Sequence, residues 1–132
     1  MNRKHVGVWV ALLGMMAALN GCVALVAGAA AGGATVSYVN NELHATVPAG
    51  IDKTWAAVKS AAQEIRYVKV SEKEDSMTGA WKGRNASDQP VTVELTRVTD
   101  NSTKIDIRVG TVSTSQNRAA AQLFYDKIVA RL

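Results

Sequence analysis

Val91-Thr92-Val93-Glu94-Leu95-Thr96, a break at Asp100-Asn101-Ser102, and then Lys104-Ile105-Asp106-Ile107-Arg108-Val109 form two runs in which apolar and polar residues alternate. Successive side chains of a strand point to opposite faces. Each run therefore puts its Val, Leu and Ile residues on one side and its Thr, Glu, Lys, Asp and Arg residues on the other. The short polar break between them predicts an antiparallel hairpin with one dry face and one wet face.

Upstream, Asn85-Ala86-Ser87-Asp88 has the composition of a turn, and Pro90 fits the margin of a strand because it has no backbone N–H to give a ladder. The run from Met77 to Arg84 reads as a strand with Met77, Gly79 and Trp81 on one side and Thr78, Ala80 and Lys82 on the other, which leaves Trp81 facing a core or a groove. Tyr67 to Ser71 reads as another strand through Val68 and Val70, and Glu72 to Ser76 as a charged turn. Before it, Ile51, Trp55, Val58, Ala62 and Ile65 follow one another at intervals of four, three, four and three, which places them on one face of a helix opened by Pro48-Ala49-Gly50. Asp52 suits the positive end of that helix. Leu43, Ala45 and Val47 alternate in a first strand, with a turn or bulge at Asn40-Asn41. A final helix starts near Ser115, capped by Ser113 or Ser115, with Ala120, Leu123, Phe124, Ile128 and Leu132 as its apolar stripe and Lys127 and Arg131 near its negative end. The expected fold is α+β: an antiparallel sheet of four to five strands with two helices on one face, in the order strand, helix, four-strand meander, helix.

The N-terminus reads differently. Arg3 and Lys4 precede an apolar stretch from Val6 to Leu19, and Gly21 stands before Cys22, the single cysteine among 132 residues. A positive segment, an apolar segment too short to span a bilayer and a small-residue cleavage site make a secretory signal. Cleavage after Gly21 leaves 111 residues, enough for one domain, with 13 Lys and Arg against 11 Asp and Glu, a net charge of +2. Charges of both signs are interspersed, so nothing supports nucleic-acid binding. One cysteine excludes an internal disulfide. From Val23 to Thr35 the chain is built of small residues, a spacer composition in which glycine weakens any helix.

Leu19-Asn20-Gly21-Cys22 resembles the bacterial lipobox, with leucine three residues before the cysteine and glycine directly before it. The resemblance implies cleavage between Gly21 and Cys22 and lipid on Cys22, which multiple acyl chains would hold stably at a membrane. In similar lipoproteins an aspartate after the cysteine retains the protein in the inner membrane. Val23 at that position implies the periplasmic face of the outer membrane. The expected organisation is a signal peptide at 1–21, lipidated Cys22 with an Ala/Gly-rich tether at 22–37, and one α+β domain at 38–132.

The lipobox, the Ala/Gly segment, Tyr38-Val39-Asn40 with Glu42-Leu43, the helix start at Asp52 to Trp55, Gly79, and Lys104 to Gly110 together resemble the short Gram-negative lipoproteins of domain of unknown function 3568. That family brings no catalytic or binding residues with it. The element order is also similar to the helix-grip-like domains of periplasmic assembly lipoproteins, an analogy of fold alone.

Little chemistry is legible. His44 alternates with Leu43 and Ala45 and is expected to face solvent, with Glu42 two residues away on the same face. One imidazole and one carboxylate fall short of the three or four ligands of a specific metal site, so no metal and no cofactor are expected. Ser113, Thr114 and Ser115 are explained by capping, and no glycine-rich loop carries a phosphate-binding lysine. The expectation is a non-catalytic envelope module, membrane-bound through Cys22, that binds another envelope protein by its polar sheet face or strand edges, with Trp81, His44 and Glu42 as the residues of a possible surface or groove. The alternative is a small-ligand or lipid-binding module with a pocket between helix and sheet.

Overall fold

The computed structural model describes residues 36–132. The signal segment, Leu19, Gly21, Cys22 and the tether up to residue 35 lie outside the described residues. Six strands and two helices follow in order: β1 (Ser37–Val39), β2 (Glu42–Val47), α1 (Ile51–Glu64), β3 (Val68–Glu74), β4 (Thr78–Arg84), β5 (Pro90–Thr99), β6 (Ser102–Val109) and α2 (Ser115–Val129). All neighbouring strands pair antiparallel in one open sheet of order β1-β2-β6-β5-β4-β3. The fold is thus α+β with two helices, and the sheet has six strands where four to five were expected.

The additional strand is β1. Asn40 and Asn41 both adopt left-handed backbone, with φ of 51° and 63°. Two consecutive left-handed residues are what a tight two-residue hairpin turn requires, and asparagine tolerates them better than most residues. The turn folds Ser37–Val39 back onto Glu42–His44. Asn41 is also buried: its Oδ1 accepts from the Tyr38 hydroxyl, and its amide donates to the Val109 and Gly110 carbonyls.

The dry face of the sheet is the one both helices cover. Trp81, Val93, Ile107 and Leu43 form one continuous row across β4, β5, β6 and β2, with Leu95, Ile105 and Ala45 in the next. All seven are buried. From above, α1 inserts Ile51, Trp55, Val58 and Ala62, and α2 inserts Ala121, Phe124, Tyr125 and Ile128. Phe124 meets the rings of Trp81 and Tyr67 edge-on, at centroid distances of 5.8 and 5.3 Å. Small residues in β4 make room for the two large indoles. A Cβ on Gly79 would stand 2.9 Å from the Trp55 ring, and one on Gly83 would stand 2.3 Å from the Trp81 ring. Among the described residues, no buried side-chain nitrogen or oxygen lacks a hydrogen-bond partner.

Three boundaries differ from the sequence reading. β3 continues through Glu72, Lys73 and Glu74, which pair with Trp81, Ala80 and Gly79 where a charged turn was expected. The turn itself is shorter: the Asp75 carboxylate accepts the backbone N–H groups of Met77 and Thr78, which holds its pKa below the usual value. The cap of α2 is Thr114, neither Ser113 nor Ser115, and its hydroxyl accepts the Asn117 N–H. The buried stripe of α2 is rotated from the expected one. Asn117, Ala121 and Tyr125 turn inward, while Leu123 is 48% exposed and Ala120 and Leu132 are only partly buried. Asn117 explains the rotation, because its buried amide donates to the Val112 carbonyl and accepts from Gln89, tying the helix start to two loops.

The end of α1 sets up the site described next. Arg66 takes a left-handed conformation, with φ 59°. Its N–H bonds back to the Gln63 carbonyl and that of Tyr67 to the Ala62 carbonyl, the double closure of a Schellman motif. The chain therefore reverses sharply and drops Tyr67 beside the core just before β3 begins. At the exposed end of α1, Glu64 bridges to Lys127 (3.1 Å) and Arg131 (2.6 Å) of the α2 segment, and the hydrogen bond from Lys127, helped by Arg131, keeps its carboxyl below the ordinary pKa.

Candidate functional site

Two places on the described surface hold groups that folding has brought together. The first lies where the helices stop covering the sheet. Every residue of β3 is exposed, and its outer edge has no neighbouring strand, since β3 ends the sheet order. Val70 drops out of the ladder at a bulge between Lys69 and Ser71, and Val68, Val70 and Met77 are each more than half exposed. Between this strand and α1 lies a cleft of about 270 Å³, walled by Lys59 and Gln63 of α1, by Tyr67, and by Lys69 and Glu72 of β3, with Trp81 at its base. Lys69 and Glu72 bond along the groove-side face of β3 at 3.1 Å, and the Lys59 ammonium sits 5.7 Å from the centre of the Trp55 ring.

Trp81 is thus a core residue that a groove reaches. It is 2% exposed. The cleft opens at the surface between α1 and the sheet, with Ala62, Tyr67 and Trp81 as its apolar lining and Lys59, Lys69 and Glu72 as its charged groups. A second cleft of about 300 Å³, lined by Asn40, Asn41, Pro90, Thr92, Arg108 and Gly110, sits at the far end of the sheet. Its Asn41 amide is already consumed by the structural bonds described above.

The second place is the helix-free face of the sheet. His44 was expected to face solvent, but its side chain is only 33% exposed and its Nδ1 lies 2.6 Å from Asp106 Oδ1. Glu42 shares the face, as the two-residue spacing implied, with Oε1 3.6 Å from the same nitrogen. Asp106 is the member that sequence reasoning missed. It stands 62 residues further along and arrives opposite His44 only because β2 pairs with β6. Alternation in Lys104–Val109 does put it on the polar side of its strand, but nothing local says which strand lies next to it. Despite that polar side, Asp106 is 8% exposed. Two cations complete the network: Arg108 bonds Glu42 Oε2 at 2.6 Å, and Lys104 lies 3.4 Å from Asp106 Oδ2.

An imidazole whose Nδ1 is held by a buried carboxylate has its ring orientation fixed. The described partners of His44 are both carboxylates, with no hydroxyl or thiol in hydrogen-bond contact to act as nucleophile. The groups therefore define a cation-compensated carboxylate–histidine cluster.

A family model described as "Protein of unknown function (DUF3568)" matches residues 7–128. No curated protein matches the chain.

Proposed function

We propose, from the premise that the chain belongs to the DUF3568 family, that it is a lipid-anchored envelope module which binds a partner protein by accepting an extended segment along β3. The exposed, unpaired edge of β3 beside the α1 cleft is the observation that carries this reading. A free strand edge offers a row of backbone donors and acceptors, and a groove alongside it supplies pockets for alternate side chains of the added strand. Two devices keep the edge from pairing indiscriminately: the bulge at Val70 and the alternation of Lys69, Glu72, Lys73 and Glu74. Lys69 is paired with Glu72, which leaves Lys59 as the cation on the α1 wall, so the added segment carries an acidic side chain towards α1.

Anchoring rests on the lipobox resemblance of Leu19 to Cys22, and placement on the periplasmic side of a Gram-negative outer membrane on Val23. Among the described residues no helix is long and apolar enough to cross a membrane. The test is the intact mass of the purified protein together with membrane fractionation. Wild type is expected to begin at Cys22, carry the added mass of acyl chains and sediment with outer membranes, while Cys22→Ala stays unlipidated and leaves that fraction. Unchanged mass and location in Cys22→Ala would overturn the anchored reading. The small-ligand alternative would use the same cleft between α1 and β3, and the unpaired strand edge beside it favours the added segment.

A further inference from the structure

The helix-free face carries a site independent of the β3 reading. We propose that Glu42, His44 and Asp106 bind a divalent late first-row transition metal ion, with zinc the best match. Each offers one donor atom, and these three atoms lie within 4.8 Å of one another. Zinc bonds nitrogen and carboxylate oxygen at about 2.0–2.2 Å, so tetrahedral coordination spaces donors about 3.3 Å apart. The observed separations of 2.6 Å from His44 Nδ1 to Asp106 and 3.6 Å to Glu42 bracket that value. The ion would replace the shared proton of the His44–Asp106 bond and draw Glu42 in by a side-chain rotation.

The backbone holds the three groups in place. Glu42 and His44 are alternate residues of one strand, and Asp106 is directly opposite His44 on the next. One imidazole and two carboxylates leave a fourth position for water, the pattern of an open zinc site. Calcium and magnesium fit poorly, since both are hard cations that take oxygen ligands, and the donor shared by the two carboxylates here is an imidazole nitrogen. Zinc and its neighbours in the series bind mixed nitrogen and oxygen donors most tightly.

Lys104 and Arg108 compete for the same carboxylates. Their side chains are 48% and 49% exposed, so either cation can swing into solvent when a dication takes its carboxylate. They serve to neutralise the cluster when no metal is bound. It follows that removing Arg108 frees Glu42 and tightens metal binding, which an adventitious surface contact would not show.

The experiment is calorimetric titration of zinc chloride into the tag-free full-length chain in detergent, after chelator stripping, with far-UV circular dichroism of each variant. Wild type is expected to bind one zinc per chain saturably, with no heat from magnesium or calcium. His44→Ala and His44→Gln are expected to weaken that binding at least tenfold, in the range seen when metal sites lose a supporting group. Arg108→Gln is expected to strengthen it by up to about fivefold, the worth of an exposed ion pair. Zinc is also expected to raise the melting temperature of wild type but not of folded His44→Ala. The proposal is overturned if binding does not saturate, if both His44 variants bind as wild type does, or if Arg108→Gln weakens it.

Discussion

Trp81→Ala is expected to lower the stability of the domain by about 3–5 kcal/mol, the range for deleting a large aromatic side chain from a packed core. The indole is 2% exposed, lies edge-on to Phe124 and closes the base of the β3 groove. Its removal takes away both the ring contact and the floor. In a domain of this size a loss of that order moves the thermal midpoint down by roughly 20 °C. Urea titration and thermal melting by far-UV circular dichroism would measure it, with Val70→Ala as a control on a side chain that is 65% exposed and is expected to change little. A Trp81→Ala loss below about 1 kcal/mol would mean the indole lies in a hollow and not in a filled core, and would revive the ligand-binding alternative.

Gly83→Val is the second large effect, and it arises from overpacking. A Cβ on Gly83 would stand 2.3 Å from Trp81 Cη2 and 2.5 Å from the Val68 backbone oxygen. The indole has nowhere to go beneath Phe124, and Val68 belongs to the ladder partner of β4. Relief therefore comes from displacing β3. The expected loss is about 3 kcal/mol, at the upper end for added volume in a packed core. Hydrogen exchange is expected to show β3 amides exchanging faster while those of β5 and β6 stay protected. Gly79→Val should be milder, because its nearest neighbour is the Trp55 side chain at 2.9 Å and not backbone. Equal effects at the two glycines would contradict this account of how β4 holds the edge strand.

The two substitutions also show where the fold could be read in sequence. β5 and β6 were legible because they are buried on one face and wet on the other, which is the condition that writes alternation into a strand. β3 is exposed on both faces, so its second half carries Glu, Lys and Glu and looks like a turn. β1 has only three residues, and its existence depends on the left-handed pair Asn40-Asn41, which sequence marks as a turn without saying what folds back. Three consecutive hydroxyl residues, Ser113 to Ser115, made the cap of α2 a choice among equals. Its inward face turned on a buried asparagine, which an apolar count passes over. For the candidate sites the limit is topology: Glu42 and His44 were visible as a pair, whereas Asp106 and the groove between α1 and β3 required knowing which strands are neighbours and which strand ends the sheet.

In vivo photocrosslinking tests whether the β3 edge receives a partner. A photoreactive side chain would be placed at Glu74 on β3, which shares the groove-side face with Glu72, at Thr96 on the helix-free face and at Ser37 on β1, each in the full-length chain. Crosslinks to one envelope protein are expected from position 74 and are expected to disappear in the Gly83→Val background, with little from positions 96 and 37. Crosslinks concentrated at position 96, or unaffected by displacing β3, would contradict binding along β3 and move the interface to the helix-free face.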